Sequence, residues 1–126
     1  FEMKCSNKIA KILNLPQNEF IRFDLKPSDL FRLRELGYIN LEQRQNDSPS
    51  IKEFMDFVLD NFLCDFSCHF EAYLVPDFRE DARLSIEGIV IDLKQVPVQA
   101  AENFYKQFIK ADEYETSENN LRAWWD

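Results

Sequence analysis

His69 is the only histidine in the chain, and the alternation around it predicts one strand face shared with Ser67, Glu71 and Tyr73. Glu71 then stands about 7 Å along that face, two residues at ~3.3 Å each. A histidine oriented by a carboxylate suits general-base work, because its pKa lies near neutrality and is easily tuned. A catalytic triad also needs a nucleophile within hydrogen-bond reach. Ser67 lies too far along the strand and has no nucleophile-elbow setting. His69, Glu71 and Tyr73 therefore define an alternative small-ligand or enzymatic site, weighed against an ordinary, partly exposed strand face.

Cys64 and Cys68, with His69, form the nearest approach to metal-ligand spacing. Zinc needs its donors about 2.0–2.3 Å from one point. On a strand the two thiols would lie roughly 13 Å apart, and Cys68 and His69 would face opposite ways. Only a tight loop at 63–67, with Cys5 approaching, could assemble a site. The expectation is buried, inert thiols, with no metal and no cofactor. Three cysteines cannot all pair within the chain, which fits a reducing compartment and a cytoplasmic location. No basic start followed by an apolar run appears near residue 1.

The carboxylates are more suggestive. Glu53, Asp56 and Asp60 recur at helical spacing as an acidic stripe, and Asp112, Glu113, Glu115 and Glu118 form an acidic stretch. Residues 1–50 hold eight Lys/Arg against seven Asp/Glu, a net of +1; residues 51–126 hold seven against sixteen, a net of −9. Nucleic-acid binding depends on Lys and Arg neutralising phosphates, so this balance disfavours it. Anionic membrane surfaces are disfavoured for the same reason. A basic protein partner is favoured, since opposite potentials steer association. Trp124 and Trp125 follow the acidic stretch directly. On a helix, adjacent residues point about 100° apart, so one indole would pack inward and the other remain free as an interface anchor. The competing reading has both tying down the terminus.

Other chemistries lack their residues. Two glycines in 126 residues leave no phosphate-cradling loop and no dinucleotide fingerprint. No Gly-x-Ser-x-Gly, zinc-finger, RRM or KH signature occurs, nor any calcium-loop pattern. Arg32 and Arg34 sit on a predicted helix, but too few cations surround them for a DNA-recognition helix.

The positioning elements are read from periodicity. A helix is predicted over 6–14, capped by Ser6 and stopped by Pro16, then a short strand over 20–25. Pro27 opens a second helix, and Gly37 occupies its C′ position. Residues 40–48 read as a polar surface loop, the expected site of disorder. Ser48 before Pro49, or Ser50 with Glu53, caps a third helix. Its core face is Ile51, Phe54, Met55, Val58, Leu59 and Phe62. From 66 the period becomes two, with Phe66, Cys68, Phe70, Ala72 and Leu74 on one side. A turn at 76–81 and a strand over 82–93 complete an antiparallel hairpin, with a bulge or bend at Gly88. Pro97 opens a helix whose core face is Ala101, Phe104, Tyr105, Phe108 and Ile109, and a short final helix is predicted over 117–125.

These elements predict one α+β domain over 1–126: a small antiparallel sheet, with the hairpin about 66–93 and a strand near 20–25, packed against four to five helices. The leading functional reading is a small acidic intracellular module that binds a basic protein partner, in the manner of an immunity or antitoxin-like inhibitor. Its expected contact residues are Glu53, Asp56, Asp60, Asp112, Glu113, Glu115, Trp124 and Trp125. A third reading is self-association through Phe-rich surface.

Overall fold

The structure is a computed structural model that describes residues 4–126. Among the described residues the order is α1 (Ser6–Ile12), β1 (Ile21–Leu25), α2 (Pro27–Glu35), α3 (Ile51–Asp60), β2 (Cys68–Val75), β3 (Arg83–Asp92), α4 (Val98–Phe108), β4 (Glu113–Thr116) and β5 (Asn120–Trp124). The strands form one antiparallel sheet in the order β1-β2-β3-β5-β4. With four helices, the molecule is α+β.

Alternation divides the sheet. Leu25, Phe70, Ala72, Leu74, Leu84, Ile86, Ile89, Ile91, Leu121 and Ala123 all point into the core and are buried. The helices cover that face: Phe54 of α3 meets Phe70, Phe108 and Trp125, and Phe57 meets Phe104 and Phe108. Such aromatic pairs add edge-to-face attraction to the area they bury. Among the described residues no helix covers the opposite sheet face.

The chain closes with a β-hairpin, which corrects the helix predicted over 117–125. Tyr114, Leu121 and Ala123 alternate inward against Glu113, Glu115, Arg122 and Trp124. The period was obscured because Ala123 is small and each strand is four or five residues long. Ser117, where that helix was expected to start, instead closes the turn, its N–H bonding the Asn120 carbonyl at 2.9 Å. Ser6 also differs in role. It lies inside α1 and its hydroxyl donates to the Val75 carbonyl, while the Asp77 carboxylate accepts the N–H groups of Ser6 and Asn7.

Helix α3 carries the predicted capping box: Ser50 Oγ accepts from Glu53 N, and Glu53 accepts from Ser50 N. The 40–48 segment is pinned rather than loose. Ser48 is fully buried, and Tyr73 donates its hydroxyl to Gln45.

Three helices end alike. In α1, α2 and α3 the N–H two residues past the C-cap returns to the carbonyl three from the helix end: Leu15 to Ala10, Tyr38 to Leu33, Leu63 to Val58. The residue between adopts positive φ, namely Asn14 (58°), Gly37 (74°) and Phe62 (53°). This turn ends α3 at Asp60 and swings the chain outward. Phe62, predicted in the core, is consequently 91% exposed, and Leu59, also predicted there, is 56% exposed because Phe57 and Val58 take the inner side of the last turn of α3. Phe66 is 85% exposed because β2 begins only at Cys68. Tyr105 and Ile109 also lie outside, since Phe104 and Phe108 already fill the core beneath α4.

Candidate functional site

The uncovered sheet face is built by the outward residues of all five strands. The β2–β3 register slips between Glu71 and Ala72, so Glu71 opposes Gly88 while Ala72 opposes Ile86. Glu87 is the extra residue of this bulge, and it turns outward with Gly88. Gly88 admits what a side chain would exclude: a Cβ there would stand 2.5 Å from Glu71 Oε1 and 3.1 Å from the Ala123 carbonyl oxygen.

Two carboxylates consequently sit beside one another and are held from opposite sides. Glu87 is 4% exposed; Arg22 Nε donates to its Oε2 at 3.0 Å and Trp124 Nε1 donates to its Oε1 at 3.1 Å. Arg122 Nε donates to Glu71 Oε1 at 2.7 Å, and its Nη1 lies 3.1 Å from Glu115 and 3.5 Å from Glu113. Burial pulls the Arg122 pKa down, but its bonds to Glu71 and Glu115 outweigh this and raise it. The guanidinium also stands 6.0 Å from the Trp124 ring centroid. Arg22, Phe23, Asp24, Glu71, Ala72, Glu87, Glu113, Arg122 and Trp124 line a shallow groove of about 400 Å³. Two guanidiniums face four lining carboxylates, and with Glu115 on Arg122 beside them the excess is three negative charges.

The predicted contact residues divide between two surfaces. Glu113 and Trp124 line this groove, and Glu115 pairs with Arg122 beside it. Asp112 lies at the end of the same hairpin and accepts the Asp126 N–H at 2.8 Å. Trp125 points the other way and is 6% exposed, packed edge-on against Phe54 and Phe108. The indoles do diverge, through strand alternation and not helical rotation. Glu53, Asp56 and Asp60 lie on α3, in the helical layer. Glu53 is bonded to Arg44 at 3.1 Å and Asp56 to Lys52 at 2.8 Å. The Ser50 backbone N–H holds the Glu53 carboxyl below its ordinary range, burial opposing it and the Ser50 hydroxyl and Arg44 assisting. Asp60 makes no ion pair among the described residues.

His69, Glu71 and Tyr73 share a face without converging. Glu71 is taken by Arg122. His69 lies 4.0 Å from Asp24, beside a separate depression with Asp65, Phe66, Val90, Asp92 and Asn120. Tyr73 is buried, and its hydroxyl accepts from Arg83 at 2.8 Å. The cysteines diverge as well. Cys68 is buried, which pushes its thiol up to about 12. Cys64 is exposed, contrary to the expected burial, because the 64–68 turn precedes β2. The Phe66 N–H, followed by the Ser67 hydroxyl, lowers its pKa. Among the described residues no group of three or more His, Cys, Asp or Glu is placed to hold a metal ion, and no helix is long and apolar enough to cross a membrane.

Arg22, Glu87 and Arg122 were not anticipated. The single signal was Gly88 at a change of phase. The partners of Glu87 come from residues 65 and 37 positions away, beyond the reach of local pattern. No family model, curated protein or solved structure matches this chain.

Proposed function

We propose that this protein is a small acidic protein-binding module that engages a basic partner in a reducing compartment, with immunity- or antitoxin-like inhibition as its concrete form. The observation that carries the reading is the excess of carboxylates gathered around half-buried Trp124 on the uncovered sheet face. A Lys- or Arg-bearing segment laid there meets Glu113 and Glu115 at the rim and the indole at the centre. The charges speed encounter, and the aromatic supplies anchoring contact. The preformed hydrogen bond from Trp124 to Glu87 holds the indole in place before the partner arrives, which reduces the ordering cost of association.

The test is capture from native lysate, identification of the captured protein, and affinity measurement with the purified pair. Association should weaken as salt rises, because exposed charges are screened. Glu113→Lys with Glu115→Lys, and separately Trp124→Ala, should each lower affinity while a thermal melt confirms folding. Salt-independent binding, or equal affinity in both variants, would overturn the proposal.

A further inference from the structure

We infer that the open edge of β4 is where a partner protein adds a strand, and that the added strand alternates basic with apolar residues. In the order β1-β2-β3-β5-β4, β4 is an edge and pairs only with β5. Antiparallel neighbours exchange backbone bonds at every second residue. Ser117 N bonds the Asn120 carbonyl at the hairpin turn, so Glu115 and Glu113 direct their backbone groups to β5. Tyr114 and Thr116 direct theirs outward, and among the described residues no hydrogen bond reaches them. Natural sheets guard such an edge with lysine, proline, a bulge or a covering segment. β4 has no lysine or proline, its register runs unbroken, and its residues are exposed apart from half-buried Tyr114.

The two sides of this edge differ in chemistry. On the uncovered sheet face stand Glu113 and Glu115, both more than half exposed. They share the guanidinium of Arg122 with Glu71, so three carboxylates meet one cation. On the helix side, Tyr114 meets Tyr105 of α4 edge-on, ring centroids 6.1 Å apart. Tyr105 is 55% exposed, and Ile109, one turn further along the same stripe of α4, is 37% exposed. A strand laid against β4 puts alternate side chains on these two sides. Those opposite Glu113 and Glu115 are basic, since opposite charges facing across paired strands stabilise the pair and like charges oppose it. Those between them are apolar and pack beside Tyr105. A second copy of this chain would set its own Glu113 and Glu115 against these two, so an edge that repels itself accepts a basic strand. The other edge, β1, carries Arg22 beside Asp24 and offers no such preference. The partner's basic character is taken from the proposed function; the open edge stands without it.

The probe is a short synthetic peptide alternating lysine with valine, added to the full chain and followed by amide exchange and titration. Exchange at the Tyr114 and Thr116 amides should slow by about tenfold or more, because pairing takes them out of water. Thr116→Pro removes one outward N–H at an edge position that tolerates proline, and affinity should fall roughly tenfold. Glu113→Gln with Glu115→Gln, and separately Tyr105→Ser, should each lower it several-fold, with thermal melts confirming that every variant folds. A peptide alternating glutamate with valine should bind weakly. Methylating the backbone nitrogens of one alternate set of peptide residues should abolish binding, and methylating the other set should leave it unchanged, because a strand bonds its neighbour along one edge. Equal affinity in Thr116→Pro, unprotected Tyr114 and Thr116 amides, or no binding of the peptide overturns the inference. Binding that ignores Thr116→Pro but disappears in Trp124→Ala overturns it while leaving the proposed function in place, since Trp124 reaches toward Glu87 and away from this edge. Concentration-dependent dimers that protect the same two amides without peptide would assign the edge to a second copy and overturn it too.

Discussion

Helices α2 and α3 end in the same pair of hydrogen bonds, yet one places glycine in the left-handed seat and the other phenylalanine. Around Gly37 a basic last turn answers the helix dipole; around Phe62 there is Asp60 and an exposed apolar surface. The difference shows that hydrogen-bond geometry alone does not select the residue. Where a cheaper residue makes the same turn, the costlier one needs a reason outside folding stability. The contrast extends to the sheet face. There Arg22 and Arg122 already answer part of the charge, so formal charge overstates what a partner meets.

The largest expected effect separates the buried side of α3 from its exposed end. Phe54→Ala and Trp125→Ala should each cost about 3–5 kcal/mol in denaturant unfolding, since both side chains fill the aromatic core. A loss below ~1 kcal/mol for Trp125→Ala would mean that the terminal strand frays and the hairpin is not structural. Next, Gly37→Phe should cost about 1–2 kcal/mol through left-handed strain alone, because nothing lies within 4 Å of an added Cβ. The reverse change, Phe62→Gly, should stabilise by about 1 kcal/mol, less the entropy glycine adds to the unfolded chain. A destabilised Phe62→Gly would show that the ring supports the fold and would erase the contrast.

Smaller effects concern the two ends of α3. Glu53 has a depressed pKa when folded, so it contributes stability above its unfolded value of about 4.3. That contribution disappears as pH falls through the lower folded value. Glu53→Gln should therefore flatten the acid limb of a stability–pH curve, and an unaltered limb would remove Glu53 from it. Beyond the other end, Cys64 should be alkylated by iodoacetamide well before Cys5 and Cys68, with no shift in Tm. Exposure and the lowered pKa favour its thiolate, while burial raises both other thiols. Equal labelling rates would show that the 64–68 turn opens.

Much of the architecture was legible. Ser50 with Glu53, Gly37 and the run from Cys68 to Val75 announce themselves because caps, left-handed turns and strand alternation are short-range. Gly88 even marked the bulge. The terminal hairpin was not legible, since Glu113–Thr116 and Asn120–Trp124 are too short to display a period and gain their stability from pairing, β5 with β3 and β4 with β5. The site was less legible than the fold. Nothing near Glu87 in sequence indicates that Arg22 and Trp124 will hold it.

The order of residues, taken alone, determined where the chain turns, which segments are amphipathic, and that its later part carries a surplus of negative charge. Folding decided which of those charges remain unanswered and which aromatic rings stay in water. Periodicity and capping act over a few residues, whereas ion pairing and burial depend on neighbours that only the assembled sheet and helices bring together.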